Sequence, residues 1–304
     1  MGMTHTDTAA QQRLQGTLLG LLGVTVFALT LPMTRLATGT VDAPQLSPWF
    51  VTWARCAIAG VLSLLFLWFT HSPRPNAAQV RWIGLSALGN ALGYPLLLGW
   101  ALRYVSASHA AVITALLPLA TAAAAAWLLH QRARLGFWLF ALLGSALVVI
   151  YSALRAHGVG SVPSGWVWAD ALLVGAVLAA SLGYVAGAQV TPALGAERVI
   201  SWVCVMALPL ALPMAWWTWP TQGIALSSWL ALGYVGVFSM WAGFFAWFRG
   251  LALGGALRVS QLQLFQPFIA MLAAVPLLGE SLDVWTLGFA MAVVATVVAG
   301  RRSV

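Results

Sequence analysis

Ala101-Leu102-Arg103-Tyr104-Val105-Ser106-Ala107-Ser108-His109-Ala110 leads into an alanine-rich apolar stretch broken at Pro118. The same distance ahead of a second break, at Pro267, stands Gly250-Leu251-Ala252-Leu253-Gly254-Gly255-Ala256-Leu257-Arg258-Val259, 149 residues further on. That offset also carries Gly16, at the head of the first apolar segment, onto Gly165, at the head of the sixth. Upstream of the prolines the register slips by two, so that Trp82 pairs best with Trp229. A hydrophobic unit present twice in one chain is a transporter signature, with the binding site expected between the copies.

Composition sets the class. Charged residues make up 7% of the 304-residue chain and hydrophobic ones 62%, too few charges to cover the surface of a soluble protein of this length. The chain therefore reads as all-α integral membrane. Its net charge of +8 comes entirely from arginines scattered singly at segment ends, without a basic run or a basic-aromatic patch, so no nucleic-acid partner is expected. Cys56 and Cys204 both fall inside apolar segments and read as buried, inert thiols. No metal ligand set and no cofactor motif is expected. The first apolar run follows a single Arg13, lacks a small-residue cleavage pattern, and reads as a retained helix.

A membrane-spanning helix needs about 20 largely apolar residues. The chain offers ten such segments, near 17–36, 46–70, 81–102, 107–129 and 134–153, then 166–190, 198–219, 228–250, 256–278 and 282–300. The expected organisation is a tail at 1–16, a first five-helix repeat at 17–153, an extracytoplasmic linker at 154–165, a second repeat at 166–300 and a tail at 301–304. With the N-terminus cytoplasmic, Arg13, Arg74, Arg81, Arg132, Arg134, Arg198, Arg249, Arg258, Arg301 and Arg302 lie inside, and only Arg35, Arg103 and Arg155 lie outside. This asymmetry puts both termini in the cytoplasm. Five spans per copy then force the second copy to insert upside down, giving an inverted repeat. Tryptophans gather near the expected span ends as interfacial belts, but Trp241 falls midway along its span.

Ten helices with this internal repeat resemble the drug/metabolite transporter superfamily, and more narrowly the EamA family. The resemblance is carried by Ser106-Ala107-Ser108-His109 through Pro118 and on to Tyr151, and by Phe265-Gln266-Pro267 through Leu277-Leu278-Gly279-Glu280, close to the family's P…LLGE ending. Arg55, early in the second span, also fits the family pattern. Leu129-His130-Gln131 departs from it where LGE is usual, which puts that loop's acidic contact in doubt. The resemblance implies a central cavity walled by spans one, three, four, six, eight and nine. It implies residence in the bacterial inner membrane and, for its amino-acid exporter branch, amino-acid export.

Polar groups at mid-membrane need partners, and each marks either a binding wall or interhelical glue worth about 0.6–2 kcal/mol. The candidates are Asn90 and Tyr94, spaced i, i+4 beside Pro95; Thr114; Ser181 and Tyr184; and Gln261 and Gln263 on the approach to Pro267. Tyr234, Phe238, Trp241, Phe245 and Phe248 follow a 4-3-4-3 spacing that draws one aromatic stripe down a helix, a pattern common in packing and lipid contact. The Trp82/Trp229 register sets Trp241 against Tyr94, and the expectation is that these two face each other across the cavity. Pro95, Pro118 and Pro267 interrupt their spans and are candidate hinges. The pairs Gly16/Gly20, Gly89/Gly93, Gly183/Gly187 and Gly250/Gly254 read as close helix crossings.

All six acids fall in loops or at span ends, and His109 reads as a surface histidine at an outer span end. Without an intramembrane carboxylate the simplest mechanism is facilitative alternating access by a monomer. A cavity without fixed charge suits neutral or zwitterionic amphipathic metabolites, amino acids first, with purines or drugs and proton coupling as the alternative. A polytopic membrane enzyme would need a catalytic set, and neither G-x-S-x-G nor H-E-x-x-H is present.

Overall fold

The computed structural model describes residues 5–128, 135–156, 167–254 and 259–301. Leu129-His130-Gln131, Gly165 and the side chain of Gln261 lie outside what it describes. Helices account for nearly all of it, interrupted by one isolated β-bridge between Gly39 and Pro44. Among the described residues, six helices are long and apolar enough to cross a membrane: Gln11–Thr38, Pro48–Phe69, Ala107–Leu128, Trp168–Leu194, Ala196–Trp217 and Leu226–Gly250. Shorter apolar helices run over Trp138–Tyr151, Leu262–Leu278 and Val284–Ala299. Large apolar side chains such as Leu14, Leu64, Leu142, Leu178, Trp216 and Trp217 stand exposed around the outside, as a lipid-facing surface requires.

Local sequence sets where helices start and break. Helix α1 (His5–Ala28) ends ahead of α2 (Thr30–Thr38), where Pro32 cannot donate a hydrogen bond to the Ala28 carbonyl. Ser47 caps α3 (Pro48–Phe69) by accepting from the Phe50 N–H, with Pro48 at its first position. Asn76 and Gln79 form a reciprocal capping box on α4 (Ala77–Ser86). A π-helical segment (Ala87–Gly93) then precedes α5 (Tyr94–Ala101). Pro95 leaves the Ala91 carbonyl free, and the Cys56 thiol donates to it at 2.8 Å. Helix α6 (Ala107–Thr114) starts at an Ser106 cap and stops short of Pro118, which lies in α7 (Leu117–Leu128).

The remainder comprises α8 (Leu135–Ala156), α9 (Val167–Leu194), α10 (Ala196–Trp217) and α11 (Leu226–Tyr234). A second π segment (Val235–Ala242) leads into α12 (Gly243–Gly254). A 3-10 turn (Ser260–Phe265) changes to α13 (Gln266–Leu278) at Pro267, and α14 (Val284–Arg301) closes the chain. A glycine ends the first π segment and another directly follows the second, each leaving room for a carbonyl five residues back. A Cβ on Gly93 would stand 2.9 Å from the Leu88 oxygen, and one on Gly243 would stand 2.8 Å from that of Phe238.

Glycines also set the two closest crossings. A Cβ on Gly250 would lie 2.6 Å from the Gly20 nitrogen and 2.9 Å from the Gly16 oxygen, so α12 presses directly on α1. A Cβ on Gly89 would lie 2.3 Å from the Ala179 oxygen and 2.9 Å from the Gly183 backbone, so the first π segment presses on α9 in the same way. Helix α3 packs along α10, and α8 along α14.

Hydrogen bonds sort the loops into two ends. Trp202 Nε1 donates to the Pro73 carbonyl, so the 70–76 loop and the turn at Gly195 share one end. At the other, Ala225 N donates to Gln45 Oε1 and Ala107 N to Glu280 Oε1, gathering the loops around 39–47, 102–106, 218–225 and 279–283. This second end is packed shut by Leu98, Ala101, Leu102, Val105, Ala107, Ala110 and Ala111, all fully buried.

Candidate binding cavity

A cavity of about 960 Å³ occupies the centre of the bundle, near the upper end of the size range for small-molecule sites. Its wall reaches Thr191, Pro192 and Ala196 beside the Gly195 turn, so it extends to the first end of the bundle and stops short of the packed one. Most of the wall is apolar. Its polar groups are hydroxyls and carboxamides from Ser86, Asn90, Tyr94, Thr114, Thr121, Tyr184, Thr191, Gln263 and Gln266, and none of the lining residues is acidic or basic. Asn90 Nδ2 donates to Ser86 Oγ at 3.2 Å, and Thr114 Oγ1 donates to the Ala110 carbonyl at 2.9 Å. Asn90 also packs against Gly183, where a Cβ would stand 2.6 Å from its Cγ, so the bare glycine keeps the carboxamide at the wall.

Asn90, Tyr94, Thr114, Tyr184, Gln263, Pro118 and Pro267 are brought together in this wall; Pro95 is buried behind it. Ser181 is fully buried and donates to the Val177 carbonyl at 2.7 Å, receiving the Thr121 hydroxyl at 3.4 Å, which is a helix-to-helix contact of α7 with α9. The aromatic stripe divides. Phe248 lines the cavity together with Phe244 and Trp247. Trp241 and Phe245 stand outside the wall, tilted on each other at 4.8 Å and both against Phe66 of α3. Phe238 is 49% exposed and stacks on Tyr234 at 5.5 Å, while Tyr234 donates its hydroxyl to the Val26 carbonyl.

The π segments explain this division. Each inserts residues relative to an ideal helix, so a stripe drawn with regular helical spacing turns off its face. Counted from the glycines that close them, Gly93 and Gly243, the counterpart of Tyr94 is Phe244, and both of these line the cavity. Trp241, the expected partner of Tyr94, lies three residues ahead of Phe244. The other lining groups outside the sequence candidates, Phe27, Leu31, Ser86, Thr121, Thr191 and Trp247 among them, carry no pattern that separates them from packing residues.

The packed end holds a polar cluster. Glu280, after the left-handed Gly279 cap of α13, accepts from Ala107 N at 2.7 Å, Ser108 N at 3.0 Å and Ser108 Oγ at 2.8 Å. Its carboxylate thus covers the N-terminus of α6, where anionic charge is favoured. Arg35 Nε lies 3.6 Å from the same carboxylate, and its Nη1 donates to the carbonyls of Leu102 and Val105. His109 corrects an expectation. Only 2% exposed, it holds Asp170 Oδ1 at 2.6 Å from Nε2, and its ring lies 4.9 Å from Tyr151, whose hydroxyl meets Thr286 at 3.1 Å. A helix end reads as surface in sequence, but Glu280 and the first turn of α9 roof this one over.

The EamA-like transporter family profile matches residues 14–153 and again 167–299. An uncharacterized transporter of Bacillus subtilis (strain 168), YdeK, is 39% identical over 285 residues, spanning 93% of this chain and 96% of that protein. One solved crystal structure superposes with a TM-score of 0.62 at 22% identity, covering 95% of this chain and 96% of the other, and so shares the fold.

Proposed function

We propose, from the premise that the chain belongs to the EamA-like transporter family, that it exports small neutral or zwitterionic amphipathic metabolites, amino acids with apolar or aromatic side chains foremost. It is a multi-pass membrane transporter and not an enzyme. The observation that carries the substrate reading is the cavity: about 960 Å³, aromatic and apolar, with hydroxyl and carboxamide groups and no carboxylate, Arg, Lys or His among its lining residues. Such a wall solvates an apolar side chain and orients polar substituents by hydrogen bonds.

The architecture in this reading is ten spans in two inverted repeats, 17–153 and 166–300, with both termini cytoplasmic in the bacterial inner membrane. Several observations support it. The family profile matches twice. The π segments stand at corresponding places in the two copies. The crossing of α12 on α1 has its counterpart in that of the first π segment on α9. The cavity reaches the end that bears Arg74, Arg81 and Arg198, so the positive-inside rule makes this an inward-open state. Alternating access then consists of closing the Gly195 end and parting the packed one around Pro118 and Pro267, where helical hydrogen bonding is already interrupted. The protein acts as a monomer and without a cofactor.

Counterflow of labelled L-phenylalanine and L-leucine into proteoliposomes, challenged with amino acids, purines and quaternary cations, tests the reading. Amino acids should drive exchange and compete best; exchange driven by purines or cations alone refutes the substrate assignment. The buried His109–Asp170 pair favours a second, proton-coupled reading, which would make uptake depend strictly on an imposed pH gradient.

A further inference from the structure

Arg55 lies two turns into α3, is 3% exposed, and has no carboxylate partner. Among the described residues the ion pairs are Arg35–Glu280 and His109–Asp170, both at the packed end. One Arg55 nitrogen, Nη2, donates to Ser239 Oγ at 3.3 Å and approaches Met240 Sδ at 3.8 Å, while Nε and Nη1 are buried without any partner. A guanidinium left so at membrane depth is costly to bury, and charged groups retained at such a cost mark transport paths.

Its surroundings supply neutral hydroxyls in place of a counter-ion. Thr30 shares a 2.7 Å hydrogen bond with the same Ser239 hydroxyl, and Thr34, one turn further along α2, is fully buried with its hydroxyl unpartnered. These groups stand just past the cavity. The wall ends at Leu31 on α2 and at Phe244 on α12, and Ser239 and Thr34 are the next polar residues toward the packed end. Arg55 is also within electrostatic reach of Tyr94 and Tyr184, which belong to the wall.

We infer that Arg55 is the carboxylate-binding residue of the transport path, presenting Nη2 together with its unpartnered Nε or Nη1 to the substrate carboxylate once α2 and the second π segment part from each other. This rests on the export reading and narrows it. The path carries organic carboxylates, zwitterions included, and a lone buried cation disfavours quaternary ammonium compounds that the neutral cavity by itself would admit. The planar fork of arginine matches a carboxylate in two parallel hydrogen bonds, and a carboxamide of the same shape cannot accept both.

Matched ligand pairs test this on the intact protein in lipid nanodiscs, with binding read from thermal stabilisation. The probes are L-phenylalanine against L-phenylalaninamide and 3-phenylpropionate against 3-phenylpropanamide. Each acid should bind at least about tenfold more tightly than its amide. Arg55→Gln should remove that preference by weakening the acids while leaving 3-phenylpropanamide binding unchanged, which also reports that the variant is folded. Arg55→Lys should keep part of the preference. Equal binding of acid and amide by the native protein, a comparison that needs no variant, overturns the assignment while leaving the export reading in place. So does an Arg55→Gln protein that still prefers acids. A native protein that binds no member of either pair refutes the export reading, and the assignment with it.

Discussion

Replacing Glu280 with Gln removes a charge and one acceptor oxygen without changing the side chain's shape. The carboxylate holds the Ala107 N–H on one oxygen and the Ser108 N–H and hydroxyl on the other, so a carboxamide must turn its NH2 toward one of these donors. Losing a hydrogen bond to a charged group is worth about 1.5–3 kcal/mol. Anionic charge at the α6 N-terminus adds about 0.3–1 kcal/mol. The Arg35 contact is long at 3.6 Å and partly exposed, so it adds only about 0.5 kcal/mol. Together the packed end should open more easily by about 2.3–4.5 kcal/mol, which is about a 45- to 1,600-fold rise in its open population. Hydrogen exchange on peptides covering residues 102–112 reads this directly, because their amides exchange through local opening. Peptides from the middle of α3 should be unaffected. Exchange over 102–112 within about threefold of the native protein would show that Glu280 does not hold this end closed.

The glycine crossings make a sharper packing test. Gly250→Ala and Gly89→Ala place a methyl against backbone at 2.6 and 2.3 Å, so each should cost about 1–3 kcal/mol or more and lower the melting temperature in detergent. Gly233→Ala meets nothing within 4 Å inside α11 and should be neutral or stabilising by up to about 1 kcal/mol, so equal losses at all three positions would contradict the packing. Breaking the His109–Asp170 pair from either side, with Asp170→Asn or His109→Phe, should cost about 3–5 kcal/mol by leaving one buried partner uncompensated. The double variant should recover part of that loss in thermal melts; strict additivity would mean the two residues do not act as a pair.

Much of the fold is legible in sequence because the bilayer imposes it. Apolar runs of membrane length, prolines that remove backbone donors and glycines at helix crossings each act locally, and the helix breaks at Pro32, Pro118 and Pro267 fall where the missing N–H requires them. The cavity wall is only partly legible. Asn90, Tyr94, Thr114, Tyr184 and Gln263 stand out because polar groups are rare at that depth. The aromatic side of the wall does not, since a stripe of regular helical period passes through a π segment and turns away, putting Phe244 rather than Trp241 beside the cavity.

By itself, then, the sequence determined the class of this protein, its repeat and the helix breaks at Pro32, Pro118 and Pro267, because these follow from hydrophobicity and backbone chemistry along the chain. Only the tertiary structure decided which face of each helix meets the cavity and which end is shut. It also decided that His109 is buried against Asp170 and that Arg55 is buried without a counter-ion. Those facts depend on which helices meet across some 60 to 185 residues of chain, and a partner at that separation leaves no local signal in either segment.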